Sequence, residues 1–524
     1  MHKQLINTLE ELLVSSAERR KDKTFGQFVG GGQKCTYSTL LRKANELSCQ
    51  MNRHGVNMEA KVAILSENMP HWAIAFFSAV AYGRVAVPIL PASSPAEVEN
   101  ILEHSESEVL FVSKALLAKV SGQRLEVLKL VYSVEDFSLV RENAAKSGYV
   151  VPRFPRPETL ATIIYTSGTS GKAKGVMLSH ANLCHSIREA YHAQRANHRD
   201  RWLSILPMAH TYELALGMLY PIFVGATVYY LPGIPAPSLL LKAMREVRPT
   251  LILTVPLVAE KIYRSAMGKI EGSRSLSWML HHMPSLLYAI AGSTLRRQTG
   301  GRIKFFGIGG AKMNPEVEQF YKRTRFNYAI GYGTTETAPL ICNACVGKTA
   351  VGTVGVAAYG VEVKLDNVDS ATGVGEIVVR GKNVMMGYYK DSERTATVLS
   401  RDGWYHTGDL AALDSQGRYC IKGRLGNMIV DPSGENIYPE EIEQVINNFP
   451  GVQESLVIER ERRLVAFVHL GEESLKTSVA TLAETIKDFV NRRVSRHSAL
   501  STVQIVTVPL QKTATLKIRR NIYK

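Results

Sequence analysis

Two rhythms of apolar and polar positions alternate through the first four hundred residues. Short apolar runs predict strands at Lys61–Ser66, Ala86–Leu90 and Glu108–Val112. Helical spacing between them predicts helices over His71–Tyr82 and Glu97–Ser105. A βαβαβ rhythm implies a mostly parallel sheet with helices on both faces. Further strands are predicted at Leu160–Tyr165, Leu251–Val255 and Ile303–Ile308. They run respectively into a Gly/Ser/Thr loop, into Pro256 and into Gly309-Gly310. Ligands in parallel sheets bind beyond the carboxyl ends of strands, so all three loops are candidate sites.

Past Gly373 the texture changes. Glu376–Arg380 and Tyr419–Ile421 read as antiparallel strands near turns, and Gly423–Gly434 reads as loop. Pro439–Asn447 reads as a helix, with Pro at its first position and Glu440 and Glu441 in its first turn. The break is placed near Arg424–Asn427, giving domains 1–424 and 425–524. The expected fold class is α/β: a large N-terminal domain of layered parallel and mixed sheets with helices, plus a small mobile α+β C-terminal domain. A chain of 524 residues is long enough for both.

Two long apolar stretches, His71–Leu90 and Trp202–Leu231, are interrupted by Arg84 and Pro88, and by His210, Glu213 and Pro221. Both therefore read as buried helix and strand rather than membrane spans. Met1–Arg20 lacks the apolar block of a signal peptide. Six cysteines include one C-x-x-C, Cys342 and Cys345, with no second pair to complete a zinc site. So few suggest a reducing compartment, and a cytoplasmic location is expected.

The net charge of +16 is uneven. From Lys487 onward there are nine Lys or Arg and one acid, Asp488. A solvated basic face is the plain reading. Polyanions such as ATP and CoA, or anionic lipid at a peripheral membrane contact, are the sharper ones. Zinc-finger spacing, RNP motifs and basic heptads are missing, so no nucleic acid partner is expected.

The strongest chemical signal is the run Tyr165–Gly175. It holds Thr166, Ser167, Gly168, Thr169, Ser170, Gly171 and Lys172. Its glycines let backbone approach a ligand, its hydroxyls donate to phosphate oxygens, and Lys172 supplies charge. It is not the P-loop pattern. A flexible linker would not be flanked by an apolar strand and by Val176-Met177-Leu178.

This run resembles the signature loop of the adenylate-forming, AMP-binding superfamily, which includes acyl-CoA synthetases, luciferases and adenylation domains of peptide synthetases. More of that family's motifs follow in order. Gly309-Gly310-Ala311 resembles the adenine-side loop, and Gly331-Tyr332-Gly333-Thr334-Thr335-Glu336 the aromatic, hydroxyl and carboxylate motif. Tyr405–Asp409 and Gly423-Arg424 resemble the ribose and hinge motifs, and Lys512–Ile518 the terminal lysine motif. The resemblance covers Tyr165 to Lys517; before Tyr165 it is one of general texture.

The resemblance implies roles. Tyr332 packs on adenine, Thr335 hydrogen-bonds a phosphate, and Glu336 holds Mg²⁺, the expected metal. Asp409 accepts from the ribose hydroxyls, and Arg424 reaches ribose or phosphate. Lys517 offsets the repulsion between the substrate carboxylate and the α-phosphate of ATP. Pro207–Glu213 resembles the segment lining the acyl site, with His210 near the carboxylate or guarding the tunnel, and Ser433–Glu441 resembles the long-chain branch. Gly309 and Gly331 leave room for methylenes.

The implied reaction has two steps, acyl-AMP and then a CoA thioester, with the small domain rotating between them. Two positions depart from the family pattern. Gly426 stands at the swivel where Asp or Lys is usual, and Leu516 stands where glycine is usual. Loading of an acyl carrier protein, ligation of an aryl acid, and a non-catalytic binding role remain as alternatives.

Overall fold

The computed structural model describes residues 6–143, 149–151, 153–167, 173–231, 236–431, 435–471, 479–513 and 517–523. Contacts divide the chain into two compact units. The first gathers the described residues up to Thr166, Ala173–Val363 and Val379–Tyr405; the second takes Lys364–Val378 and the chain from His406 onward.

The first unit carries two large sheets. One has eight strands in the order Gly387–Tyr388, Ala173–Ser179, Leu160–Ser167, Val85–Ile89, Lys61–Leu65, Ser107–Val112, Leu130–Ser133 and Leu139–Glu142. Strands from Leu160–Ser167 to Leu130–Ser133 run parallel, and the pairs at both ends are antiparallel. The other has nine strands. Its centre is the parallel series Tyr328–Tyr332, Phe305–Ile308, Leu251–Thr254, Arg201–Ser204, Thr227–Tyr230 and Thr24–Phe28. The predicted parallel rhythm is therefore the actual one.

Between the two sheets lies the helix Pro70–Val80, which touches the Thr24–Phe28 strand of one sheet and Lys61–Leu65 and Val85–Ile89 of the other. Apart from His71, all of its residues are buried. It is apolar all round because it has no solvent face. Trp202–Leu231 resolves into two strands joined by a π-helix, Glu213–Leu219, and a short α-helix, Tyr220–Val224. No helix among the described residues is long and apolar enough to cross a membrane.

The second unit holds most of a four-stranded sheet ordered Val361–Asp366, Gly375–Gly381, Tyr405–Leu413, Tyr419–Arg424. A three-stranded sheet follows: Val452–Arg460 antiparallel to Arg463–Leu470, which is parallel to Thr502–Val506. Helices Pro439–Asn447 and Val479–Asn491 pack on it through Ile442, Ile446, Ile486 and Val490 against Val457, Ala466 and Val468. The expected break after Arg424 falls inside this unit, just past the hairpin that pairs Asp409 with Arg424.

The basic tail is not a uniformly solvated face. Arg520 lies 2.6 Å from Glu443, Lys487 lies 2.7 Å from Glu484, and Lys512 is ion-paired with Glu454.

Candidate functional site

Three neighbouring parallel strands of the nine-stranded sheet end side by side, at Thr254, Ile308 and Tyr332. Their loops carry Pro256, Gly309-Gly310-Ala311 and Gly333–Glu336, so the topology brings two separately proposed motifs to one sheet end. Gly310 and Ala311 are exposed, and Gly310 has φ +87°. Gly333 is required sterically, because a Cβ there would stand 1.6 Å from the Pro339 carbonyl oxygen. That approach folds Thr334–Thr337 back on itself. Thr337 accepts a hydrogen bond from the Thr334 N–H at 3.2 Å and donates to the Pro339 carbonyl at 3.0 Å. Tyr332 and Thr335 stay partly exposed, open to a ligand.

Glu336 is buried with 6% exposure. Its Oε1 accepts from Lys174 Nζ at 2.7 Å and from the Tyr388 hydroxyl at 3.0 Å. Lys174 also donates to the Tyr388 oxygen at 2.8 Å and sits 4.5 Å from the centre of that ring. Burial pushes the Glu336 carboxyl up, but the Lys174 charge and the two hydrogen bonds outweigh it and hold the group below its ordinary value. The carboxylate is thus ionised at neutral pH. An anionic oxygen pair fits a hard cation. Among the described residues there is no cluster of three or more His, Cys, Asp or Glu able to hold a metal. A cation here would have this one carboxylate as its protein ligand and would need a ligand's own oxygens to complete its shell, an arrangement that suits Mg²⁺.

The Leu160–Ser167 strand of the other sheet leads into the signature loop. Thr166 Oγ1 is buried without a hydrogen-bond partner among the described residues, a hydroxyl available at the head of that loop. The Ser167 side chain and Gly168, Thr169, Ser170, Gly171 and Lys172 lie outside the described residues, as does Leu516.

A small apolar cavity of about 60 Å³ lies in the first unit. It is bounded by Trp202, Tyr212, Leu216, Leu251, Phe305 and Gly331, among others. Tyr212 stands against the sheet because Gly307 and Gly309 lack side chains; a Cβ on Gly309 would meet the Tyr212 ring at 3.4 Å. Gly309 therefore makes room for Tyr212, whereas Gly331 borders the cavity directly. His210 is partly buried just before the π-helix, with Nδ1 accepting from the Tyr212 N–H at 3.4 Å.

Glu213, beside Tyr212, is 1% exposed, and its Oε2 has no partner among the described residues. Burial pushes its carboxyl up to about 8, against a hydrogen bond with Ser204. The folded state keeps this proton to a higher pH than the unfolded chain does. Its stabilisation is therefore full below the ordinary carboxyl value near 4.5 and is lost as pH rises toward 8. Glu213→Gln should flatten the fall in stability between pH 5 and 8 by on the order of 1 kcal/mol per pH unit. Urea unfolding of both proteins at several pH values measures it, and parallel curves would show that Glu213 is ionised in the fold.

In the second unit, Asp409 and Arg424 face each other across the hairpin, with Nε 3.0 Å from Oδ1. Asp409 is buried, and its N–H donates to Thr407 Oγ1 at 3.0 Å. Glu376 shapes the turn before it, accepting from the Gly408 N–H at 2.8 Å and binding the His406 ring at 3.0 Å. The pair can present a carboxylate and a guanidinium together to a polyol or phosphate. Gly426 sits in the 3₁₀ turn Leu425–Asn427, and a Cβ there would meet no atom within 4 Å. Nothing local demands glycine at that position. Lys517 is exposed in a short antiparallel bridge of Lys512 with Ile518; its N–H donates to Thr513 Oγ1 at 3.2 Å.

Two residues at the Glu336 site escape sequence reading. Lys174 lies inside the signature run, where Lys172 is the lysine expected to supply charge, yet it is Lys174 that reaches Glu336. Tyr388 arrives on an edge strand with no motif to mark it.

With that geometry in view, the likeness to known proteins has a physical basis. The sequence pattern of the AMP-binding enzyme family matches residues 13–389, and that of the AMP-binding enzyme C-terminal domain matches residues 441–517. The peroxisomal long chain acyl-CoA synthetase 6 of Arabidopsis thaliana is 31% identical over 461 residues, which span 80% of this chain but 65% of that protein. A chloroplastic long-chain-fatty-acid–[acyl-carrier-protein] ligase of the same plant is 27% identical, spanning 93% of this chain and 81% of its own length. The fold is that of o-succinylbenzoate coenzyme A synthetase from Bacillus subtilis, solved with ATP and a magnesium ion. The TM-score is 0.79 at 23% identity, over 98% of both chains. Because the first match alone takes in well over half of the sequence, the chain belongs to the AMP-binding enzyme family.

Proposed function

We propose that the protein is an ATP-dependent acid–CoA ligase acting on a medium- or long-chain fatty acid. The carrying observation is the apolar cavity, which is bounded by the Tyr328–Tyr332 strand whose end bears the Gly333–Glu336 loop. A tail of methylenes gains roughly 0.8 kcal/mol per buried CH₂ in such a space. The names of the long-chain relatives support the same substrate class.

In this reading the acid's carboxylate attacks the α-phosphorus of ATP, the bond to the β-phosphate oxygen breaks, and pyrophosphate leaves. The CoA thiolate then attacks the acyl carbonyl and AMP leaves. Thr166, Thr335 and the signature loop donate to phosphate oxygens, while Tyr332 packs on adenine and Asp409 and Arg424 bind the ribose. Lys517 offsets charge in the first step. Glu336 is the residue that would hold Mg²⁺, which supplies neutralisation of phosphate charge. Residues 425–524 are the part that moves, swivelling at Leu425–Asn427.

A screen of acids from acetate to long-chain and aryl acids, read by pyrophosphate release, tests the substrate class; release with aryl acids alone would reject it. Palmitate supplied with CoA or with acyl carrier protein tests the acceptor. The carrier-protein ligase among the relatives makes that second arm necessary.

Gly331→Leu tests the cavity. A Cβ at this position meets only Leu340 Cδ1, at 3.7 Å, so the strand accepts it while the rest of the side chain fills the space. Blocking some four methylenes should lower kcat/KM for palmitate by about 10²-fold and spare octanoate. Equal loss for both acids would place the tail elsewhere.

A further inference from the structure

Three helices, Pro256–Glu271, Arg274–His282 and Pro284–Gln298, are inserted between the Leu251–Thr254 and Phe305–Ile308 strands. The first and third reach the core through Ala259 and Leu295. The middle helix has no buried residue and packs against the other two. Around it, large apolar side chains face solvent. Trp278 is 54% exposed, Leu286 47%, Met283 44% and Ile290 44%. Leu286 and Ile290 are four apart on one helix face. An apolar group of this kind marks an interaction surface.

Its charge says what kind. From Gly272 through Pro315 the chain contains no Asp or Glu, yet it carries six Lys or Arg. Lys304 is neutralised by Asp200 at 2.9 Å. Arg296 is held by the Thr324 carbonyl at 3.2 Å, which leaves its charge unbalanced. Arg274, Arg297 and Arg302 are exposed and have no ion-pair partner among the described residues. A second copy of this surface would set like charge against like charge. An anionic bilayer would instead receive the arginines at its headgroups, and the Trp, Leu and Ile side chains at the acyl boundary. Trp in particular favours that interface.

We infer that the Arg274–Gln298 hairpin docks the protein on anionic lipid membranes, without spanning them. The inference does not depend on which acid is activated.

Vesicles of phosphatidylcholine alone, or mixed with phosphatidylglycerol, report it by co-sedimentation. The wild type should bind the mixed vesicles and lose binding at high salt. Reversal of Arg274 and Arg297 to Glu should weaken binding about fivefold or more per charge. The triple variant Trp278→Ser, Leu286→Ser, Ile290→Ser should weaken it roughly tenfold or more. The urea-unfolding midpoint should be unchanged in both, showing that the variants fold. Trp72 and Trp202 are buried and Trp404 is half-buried against Arg380, so quenching by brominated lipid should be strong in the wild type and largely lost in Trp278→Phe. No vesicle binding, or binding that all these variants keep, would overturn the inference. So would a vesicle-free dimer, seen by sedimentation velocity, that the triple variant abolishes, because the hairpin would then be a protein interface.

Discussion

Lys517→Ala is expected to slow acyl-AMP formation by about 10²–10³-fold, the loss typical of removing one group aimed at developing transition-state charge. Transfer from preformed acyl-AMP to CoA should change by only a few fold. The asymmetry follows from the chemistry of the two proposed steps. In the first, a carboxylate approaches a polyphosphate, and two anions must meet. In the second, a neutral acyl carbonyl is attacked and AMP departs. The backbone near Lys517 is anchored independently of its side chain. Lys512 is paired with Glu454, the Gln511 N–H donates to the Tyr523 hydroxyl at 2.9 Å, and Arg520 is bound to Glu443 at 2.6 Å. Truncating an exposed lysine within this frame should leave the second unit folded, so lost activity can be assigned to the ammonium. ATP–pyrophosphate exchange measures the first step, and a single turnover started from acyl-AMP measures the second. Equal loss in both would remove Lys517 from the adenylation role.

What the sequence shows and what it hides divides along the range of the interactions. The helix predicted over His71–Tyr82 is found at Pro70–Val80, and the strand over Ala86–Leu90 at Val85–Ile89. Apolar periodicity and proline position are local signals, and they survive folding. Pro439–Asn447 was legible for the same reason: Pro at the first position and two glutamates in the first turn. The Glu336 site is the opposite case. Lys174 comes from 162 residues away and Tyr388 from 52, and no periodicity connects them. The cavity is likewise assembled from residues between Ala190 and Cys345 on several strands and helices. Local patterns could flag Gly331 as permissive but could not show that Tyr212 occupies the space beside Gly309. The π-helix was hidden too, because its widened turn leaves no mark in hydrophobic spacing.

Glu336→Gln is expected to lower the rate of pyrophosphate exchange by about 10²-fold. It should also raise the Mg²⁺ concentration needed for half-maximal rate roughly tenfold or more. The variant keeps shape but removes charge, and under the proposed function the charge has two claimants: the Lys174 ammonium within the fold, and a divalent cation that arrives with substrate. A purely structural carboxylate would show itself through stability alone. Removing one partner of a buried ion pair costs up to about 3–5 kcal/mol; with the Lys174 side chain 23% exposed, the loss here should be nearer 1–2 kcal/mol. Adding Lys174→Met removes the stranded ammonium, so the double variant should recover much of that stability, a coupling visible in a double-mutant cycle. Mg²⁺-dependent exchange should not recover with it. Recovery of both together, or a Glu336→Gln enzyme whose Mg²⁺ response is unshifted, would make Glu336 no more than the counter-ion of Lys174. Recovery of stability alone would separate the two roles, because the ammonium needs the carboxylate only to stay buried, whereas the metal needs it to bind.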